Sequence, residues 1–319
     1  MIKEILLIIV GFVLLIKGAD FLVDGASSVA KKFHIPEIVI GLTIVSIGTS
    51  MPELFVSTTS ALQGSADMSI GNIIGSNICN LLLILGISAA ISPVKFQKST
   101  TSIEIPMCFA ITAIFMVLSN TNKTLSTLDG AILLVLFVGF ICYTLYVAKK
   151  GLTAAGDEAE ENQETNQKKV SVVKDIIFII VGIVALKFGG DMTVDNAVVI
   201  AEHLGISEKV IGLTILAFGT SLPELVTSVV AAIRGNDDIA IGNIIGSNIF
   251  NMLMIIGVTA CLTPLNFNLS YNTELIVLLF ALILLEVFAF TKPKLQMSRF
   301  NGIIYVAMYA AYLAMLFIR

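Results

Sequence analysis

The chain has 319 residues, 56% hydrophobic and 13% charged, with a formal net charge of −4 and a mean hydropathy of +0.96. Charged residues make up about 25% of a soluble globular protein, so this composition excludes a soluble enzyme and requires an integral membrane protein. The net charge says little about partners, because charges in such a chain sit in loops and are read by side rather than by sum.

Apolar runs of spanning length fall at 5–24, 37–62, 69–91, 103–119, 128–148, 174–195, 208–233, 239–262, 273–291 and 300–318, which predicts an all-α membrane protein of ten transmembrane helices. The first run resembles a secretory signal, but it is long enough to span and has a counterpart after Asp175, so it reads as a retained helix. Residues 149–173 are polar, carry Asp157, Glu158, Glu160 and Glu161 and lack hydrophobic periodicity, so they are expected to form a flexible acidic linker. The expected organisation is therefore a first five-helix unit at 1–148, the linker at 149–173 and a second five-helix unit at 174–319.

The two units are repeats. A shift of 171 aligns Ile5 to Pro93 with the second half without a gap, placing Gly11 on Gly182, Gly18 on Gly189, Asp20 on Asp191, Asp24 on Asp195 and Pro93 on Pro264. Gly-Thr-Ser-Met-Pro-Glu53 returns as Gly-Thr-Ser-Leu-Pro-Glu224, and residues 70–81 match 241–252 at ten of twelve positions. Each unit holds an odd number of spans, so the second must enter the membrane from the opposite side, giving an inverted-topology repeat of the kind found in secondary transporters. Thirteen Lys and Arg fall on the side of the odd-numbered loops, the linker among them, and four on the other. The positive-inside rule then puts the linker in the cytoplasm and both termini outside a plasma membrane. Lys17 and Lys187 lie within spans and are expected to snorkel or to pair with Asp20 and Asp191.

The chemistry is concentrated on four predicted helices. On the second, Ser46, Ser50, Glu53 and Ser57 make one polar stripe, which Ala217, Ser221, Glu224 and Ser228 repeat on the seventh. Pro52 and Pro223 lack an amide proton, so carbonyls near Gly48 and Thr49, and near Gly219 and Thr220, lose helical partners and become available to a cation. The third helix adds Asn72, Ser76 and Asn80, and the eighth adds Asn243, Ser247 and Asn251. A charge at the bilayer centre costs at least about 2.5–3.5 kcal/mol, so a carboxylate installed twice in matching oxygen-rich settings points to a bound cation. Carboxylates, hydroxyls, amides and carbonyls without thiolate or imidazole suit a hard ion, calcium foremost, with sodium suited to the same oxygens.

Through the two Gly-Thr-Ser-x-Pro-Glu segments and the two Gly-Asn-Ile-Ile-Gly-Ser-Asn segments, the sequence resembles the cation/calcium antiporter superfamily, and within it the sodium/calcium exchangers of prokaryotic type. The ten-helix layout extends the likeness to the whole chain, with alpha-repeat motifs at 41–61 and 70–81 and at 212–232 and 241–252. The resemblance implies that Glu53 and Glu224 ligate calcium with the carbonyls of Thr49 and Thr220. It further implies sodium sites using Ser50, Ser76, Ser221 and Ser247 with carbonyls at Ser46 and Ala217, and Asn80 and Asn251 closing the middle of the site. The first and sixth helices would slide across the rest to switch access. Asn251 departs from potassium-dependent members, which carry aspartate there, so the site holds two formal charges and potassium cotransport is not expected. Calcium and sodium are then the transported ions, the bilayer is the surrounding partner, and neither an organic cofactor, a nucleic acid nor a protein partner is implied.

Plainer readings stand beside these. Gly71 and Gly75, like Gly242 and Gly246, form GxxxG pairs whose default role is helix packing. Ser57, Ser228, Asn72 and Asn243 are as well suited to interhelical hydrogen bonds as to ligation, and Asp20, Asp24, Asp191 and Asp195 to pairing or solvation at the interface. The four cysteines lack metal-ligand spacing and read as packing residues, and His34 and His203 as solvated loop residues. The nearest rival function is calcium/proton exchange, for which more acids would be expected. A cation channel fits the inverted repeat poorly, and an intramembrane hydrolase would need a membrane histidine or an aspartate pair.

Overall fold

The structure is a computed structural model in which residues 2–161, 172–204 and 217–318 are described. Helix α1 (Ile2–Lys32) carries Glu4 in its first turn and Lys31 and Lys32 in its last, charges that complement the helix dipole. Its glycines at 11, 18 and 25 lie on one face and meet α7 (Val172–His203) running the other way. A Cβ on Gly18 would lie 2.9 Å from the Gly182 carbonyl oxygen, and one on Gly189 would lie 2.8 Å from that of Gly11. The two backbones therefore touch directly, a contact only glycine permits.

Helices α2 (Glu37–Thr49) and α3 (Met51–Leu62) form one path bent by 48° at Ser50. Then come α4 (Ala66–Ile91), α5 (Thr100–Thr121), α6 (Thr127–Glu161), α7, the short α8 (Ala217–Gly219), α9 (Leu222–Ile233), α10 (Asp237–Leu262), α11 (Tyr271–Phe290) and α12 (Arg299–Ile318). Among the described residues, seven helices are long and apolar enough to cross a membrane, and the bent α2–α3 pair raises the number to eight. The part of the seventh predicted run before Ala217, including Gly212 of its motif, lies outside the described residues.

Helices α4 and α10 form the centre of the bundle: their most apolar windows are 78% and 83% buried, against 17% for those of α6 and α12. Apolar residues of α1 such as Ile9, Phe12, Val13 and Ile16 face outward, as expected where the surroundings are lipid rather than water.

Short strands clasp the loops. β1 (Val94–Lys95) pairs antiparallel with β4 (Gln296–Met297), and β2 (Thr124–Leu125) with β3 (Leu265–Asn266). Two-residue strands have no readable periodicity, and none was predicted. Contacts among loops and helix ends fall into two sets. One holds β1–β4, the Lys32–Asp175 ion pair at 2.7 Å and the Gln97–Asp238 hydrogen bond, and the other holds β2–β3 and the Tyr271 hydroxyl donating to the Asp67 carbonyl at 2.8 Å.

One expectation needs correction. The expected flexible linker begins as helix, because α6 continues to Glu161. Ala, Leu and Glu are strong helix formers, and extending a formed helix avoids the nucleation penalty. Residues 162–171 lie outside the described residues.

Lys17 and Lys187 pair with Asp20 and Asp191 at 3.4 and 2.7 Å. Arg234, just past α9, also reaches Asp20 and Asp24 and so ties α9 to α1. Of the cysteines, all free, Cys79 and Cys108 are buried while Cys142 is exposed on α6.

Candidate cation-binding site

Pro52 withholds the proton that would have closed onto the Gly48 carbonyl, and the chain leaves helical geometry at Ser50 (φ −83°, ψ 8°). The break recurs at Ser221 (φ −89°, ψ 6°) before Pro223. Each restart places a glutamate in the first turn, Glu53 on α3 and Glu224 on α9. Both carboxylates are 1% exposed.

The two breaks face each other. Ser50 donates its hydroxyl to Glu224 Oε1 at 2.9 Å, and Ser221 donates to Glu53 Oε1 at 3.5 Å, so each serine serves the glutamate of the other half. The remaining carboxylate oxygens, Glu53 Oε2 and Glu224 Oε2, are buried without a hydrogen-bond partner.

Helices α4 and α10 cross at this level through four asparagines. Asn77 Nδ2 donates to the Asn248 carbonyl at 3.1 Å, and Asn248 Nδ2 returns the bond to the Asn77 carbonyl at 3.3 Å. Asn80 Nδ2 donates to Asn248 Oδ1 at 3.1 Å, and Asn251 Nδ2 to Asn77 Oδ1 at 2.9 Å. With the amide nitrogens engaged, the oxygens Asn80 Oδ1 and Asn251 Oδ1 are left buried and unpartnered, as are the hydroxyls of Ser76 and Ser247. Both helices widen to a π turn at this level, over Cys79–Ile84 and Asn251–Ile255. Such turns concentrate at functional sites because they re-aim side chains within a helix.

Seven buried site oxygens thus lack a partner among the described residues: two carboxylate, two amide and three hydroxyl, the third hydroxyl being that of Thr220. A buried polar atom left unpaired costs roughly 1–3 kcal/mol, so a cluster of this size calls for a cation to satisfy it. Among the described residues no group of three or more His, Cys, Asp and Glu could hold a metal ion, so two carboxylates and neutral oxygens are what a cation would meet here. That donor set fits hard ions and offers nothing to soft ones.

Other predicted residues have different engagements. The Thr49 hydroxyl donates to Asn243 Oδ1 at 3.1 Å, and the Ser46 carbonyl accepts the Ser50 N–H at 3.0 Å. Thr220 follows α8, which begins at Ala217; the Ala217 side chain lies outside the described residues. Asn72 donates to the Ser57 hydroxyl and Asn243 to that of Ser228, both at 2.9 Å, so these four are interhelical links between α3 and α4 and between α9 and α10. At the GxxxG pairs, Gly242 and Gly246 admit α2: a Cβ on Gly246 would come 2.7 Å from Ser46 Oγ.

Asn77 and Asn248 stand one residue beyond Ser76 and Ser247, off the four-residue stripe, so helical spacing does not single them out. Their duplication inside otherwise apolar helices was the available signal.

The sodium/calcium exchanger protein family profile matches residues 3–146 and 174–318. The sodium/calcium exchanger MaX1 of Methanosarcina acetivorans is 31% identical over 98% of both chains, and the inner membrane protein YrbG of Escherichia coli is 35% identical over 98% of this chain and 96% of its own. Among solved structures, the sodium-calcium exchanger NCX_Mj soaked with Na+ and Ca2+ superposes with a TM-score of 0.84 at 34% identity, covering 98% of each chain. The duplicated carboxylate motif, the all-helical membrane fold and these matches together make the chain a member of the sodium/calcium exchanger family.

Proposed function

We propose that this protein is a secondary antiporter that exchanges sodium for calcium by alternating access, built as ten transmembrane helices in two inverted five-helix repeats, 1–148 and 174–319, joined through 149–173. The observation that carries the reading is the set of seven orphaned buried oxygens around Glu53 and Glu224. Further support for the repeat comes from hydrogen bonds that occur in pairs related by the 171-residue shift: Ser50–Glu224 with Ser221–Glu53, and Asn80–Asn248 with Asn251–Asn77.

In this reading Glu53 and Glu224 hold calcium with the carbonyls of Thr49 and Thr220. Sodium ions occupy positions made by the same glutamates with Ser50, Ser76, Ser221 and Ser247 and the carbonyls of Ser46 and Ala217, and the amide oxygens of Asn80 and Asn251 close the centre. Two carboxylates neutralise one calcium, whereas three sodium ions leave one positive charge over. A three-for-one cycle is therefore electrogenic, each net charge being worth about 2.3 kcal/mol per 100 mV. With Asn251 neutral, no third carboxylate is present to accommodate potassium. Helices α1 and α7, in contact through glycine, form the sliding pair. Both termini lie outside the plasma membrane, with 149–173 in the cytoplasm.

Calorimetric titration of the purified protein with calcium tests the site: sodium should compete with calcium, while potassium at the same ionic strength should not. Calcium binding indifferent to sodium would remove the basis for exchange.

A further inference from the structure

Helices α4 and α12 cross where Gly86 meets Gly302: a Cβ on Gly302 would stand 2.5 Å from the Gly86 carbonyl oxygen. Beside this crossing the small side chains of Ala307 and Ala310, set between Ile87, Ile91 and Ile303, leave an apolar groove of ≈ 420 Å³. Its rim is open to the surroundings of the bundle, with Ile91 46% and Ile303 58% exposed.

One end of the groove is basic. The segments 92–99 and 291–299 hold Lys95, Lys98, Lys292, Lys294 and Arg299 and no Asp or Glu, and all five cations are exposed. Pairing of β1 with β4 and the Phe96 N–H donating to the Leu295 carbonyl at 2.8 Å hold the two loops together. Arg299 stands one helical turn before Ile303 on α12 and so shares its face, while Lys95 lies on β1, just past the end of α4 at Ile91, so the cations gather at this end of the groove. The nearby carboxylates Asp237 and Asp238 are engaged by the Lys95 backbone N–H and the Gln97 amide.

The repeat supplies an internal comparison. The corresponding crossing joins α6 to α10, where a Cβ on Gly130 would lie 2.8 Å from the Gly257 carbonyl oxygen. Its loops, 122–126 and 263–270, contain a single cation, Lys123. A general bias of cations toward one side of the membrane accounts for the difference in number, but not for their gathering at the end of an apolar groove.

We propose that this groove and its basic rim bind one anionic diacyl phospholipid, with an acyl chain along Ile87, Ile91, Ile303, Ala307 and Ala310 and the phosphate among the five cations. The inference needs only the membrane fold and is independent of the ion-exchange reading. A basic pocket between spans at the interface is a recurrent headgroup site, and each cation near an anionic surface changes affinity roughly fivefold.

The full-length protein is incubated with phosphatidylglycerol and phosphatidylcholine of identical chains in equal amounts, and retained lipid is read by native mass spectrometry. Phosphatidylglycerol should be retained preferentially. The K292Q/K294Q/R299Q variant should lose its affinity on the order of 100-fold. Ala307→Phe, which fills the groove and keeps every cation, should also lose retention; Ala310→Leu serves if that variant fails to fold. Lys31→Gln, at the end of α1 away from the groove, should bind as the parent does. Equal retention of both lipids, undiminished retention when the groove is filled, or equal loss in Lys31→Gln would overturn the proposal.

Discussion

Asn77 and Asn248 clasp each other across the helix crossing at the centre of the protein, each side chain donating to the other's backbone carbonyl at 3.1 and 3.3 Å. Each also accepts, on its side-chain oxygen, the amide of Asn251 or Asn80. The clasp thereby turns the oxygens of Asn80 and Asn251 away from competing donors. Asn77→Ala and Asn248→Ala should each weaken calcium binding by roughly 1–3 kcal/mol, because a buried donor on Asn251 or Asn80 is left unmatched. Their effects should not add, since both residues belong to one network. Calorimetry on the single and double variants checks this, and strictly additive losses would count against a shared clasp.

The two carboxylates are expected to be indispensable in equal measure. Glu53→Gln and Glu224→Gln each remove one of the two negative charges available to a divalent ion. Breaking a buried charge pairing costs about 3–5 kcal/mol, so each variant should lose calcium exchange by at least about a hundredfold. Both proteins should still insert and elute as the parent does, because a neutral amide is less costly in the membrane than a carboxylate. Full exchange by either variant would refute the site.

Asn251 should determine whether the site responds to protons. Its amide donates to Asn77 Oδ1, a bond that an aspartic acid makes only while protonated. In Asn251→Asp, low pH keeps the hydrogen bond and two site charges, whereas rising pH breaks the bond and adds a third charge. Sodium-dependent calcium flux in the variant should therefore change with pH across that titration relative to the parent. Identical pH profiles would show that the position does not act through its proton.

The fold was legible wherever the signal was repeated and apolar. Helix runs, the duplicated Pro52 and Pro223 breaks, and the lysine–aspartate pairs on α1 and α7 follow from spacing alone. The partnership of Ser50 with Glu224 rather than with Glu53, three residues along its own chain, was not legible. It depends on two breaks meeting across the bundle, and no local pattern records that meeting. Asn77 was hidden for a related reason: helical periodicity finds one stripe, while a residue at a crossing of two central helices is polar on another face. The π turns leave no mark in a 3.6-residue period, and the helical continuation to Glu161 was masked by polar residues that happen to be good helix formers.

The glycine contact between α1 and α7 offers a way to test sliding apart from ion binding. A Cβ at Gly18 would lie 2.9 Å from the Gly182 carbonyl oxygen, so Gly18→Val forces the pair apart. Overpacking of this kind costs about 1–3 kcal/mol of stability. Since α1 supplies none of the proposed ligands, calcium affinity should hold while the exchange rate falls. Unchanged turnover would contradict a sliding role for this contact.

Sodium coupling is the central claim, and radioactive calcium flux in proteoliposomes measures it. With sodium loaded inside and calcium outside, an outward sodium gradient should drive calcium uptake above its equilibrium level, and a potassium or pH gradient of the same size should not. Calcium accumulation that follows the pH gradient, or that proceeds equally without sodium, would contradict it.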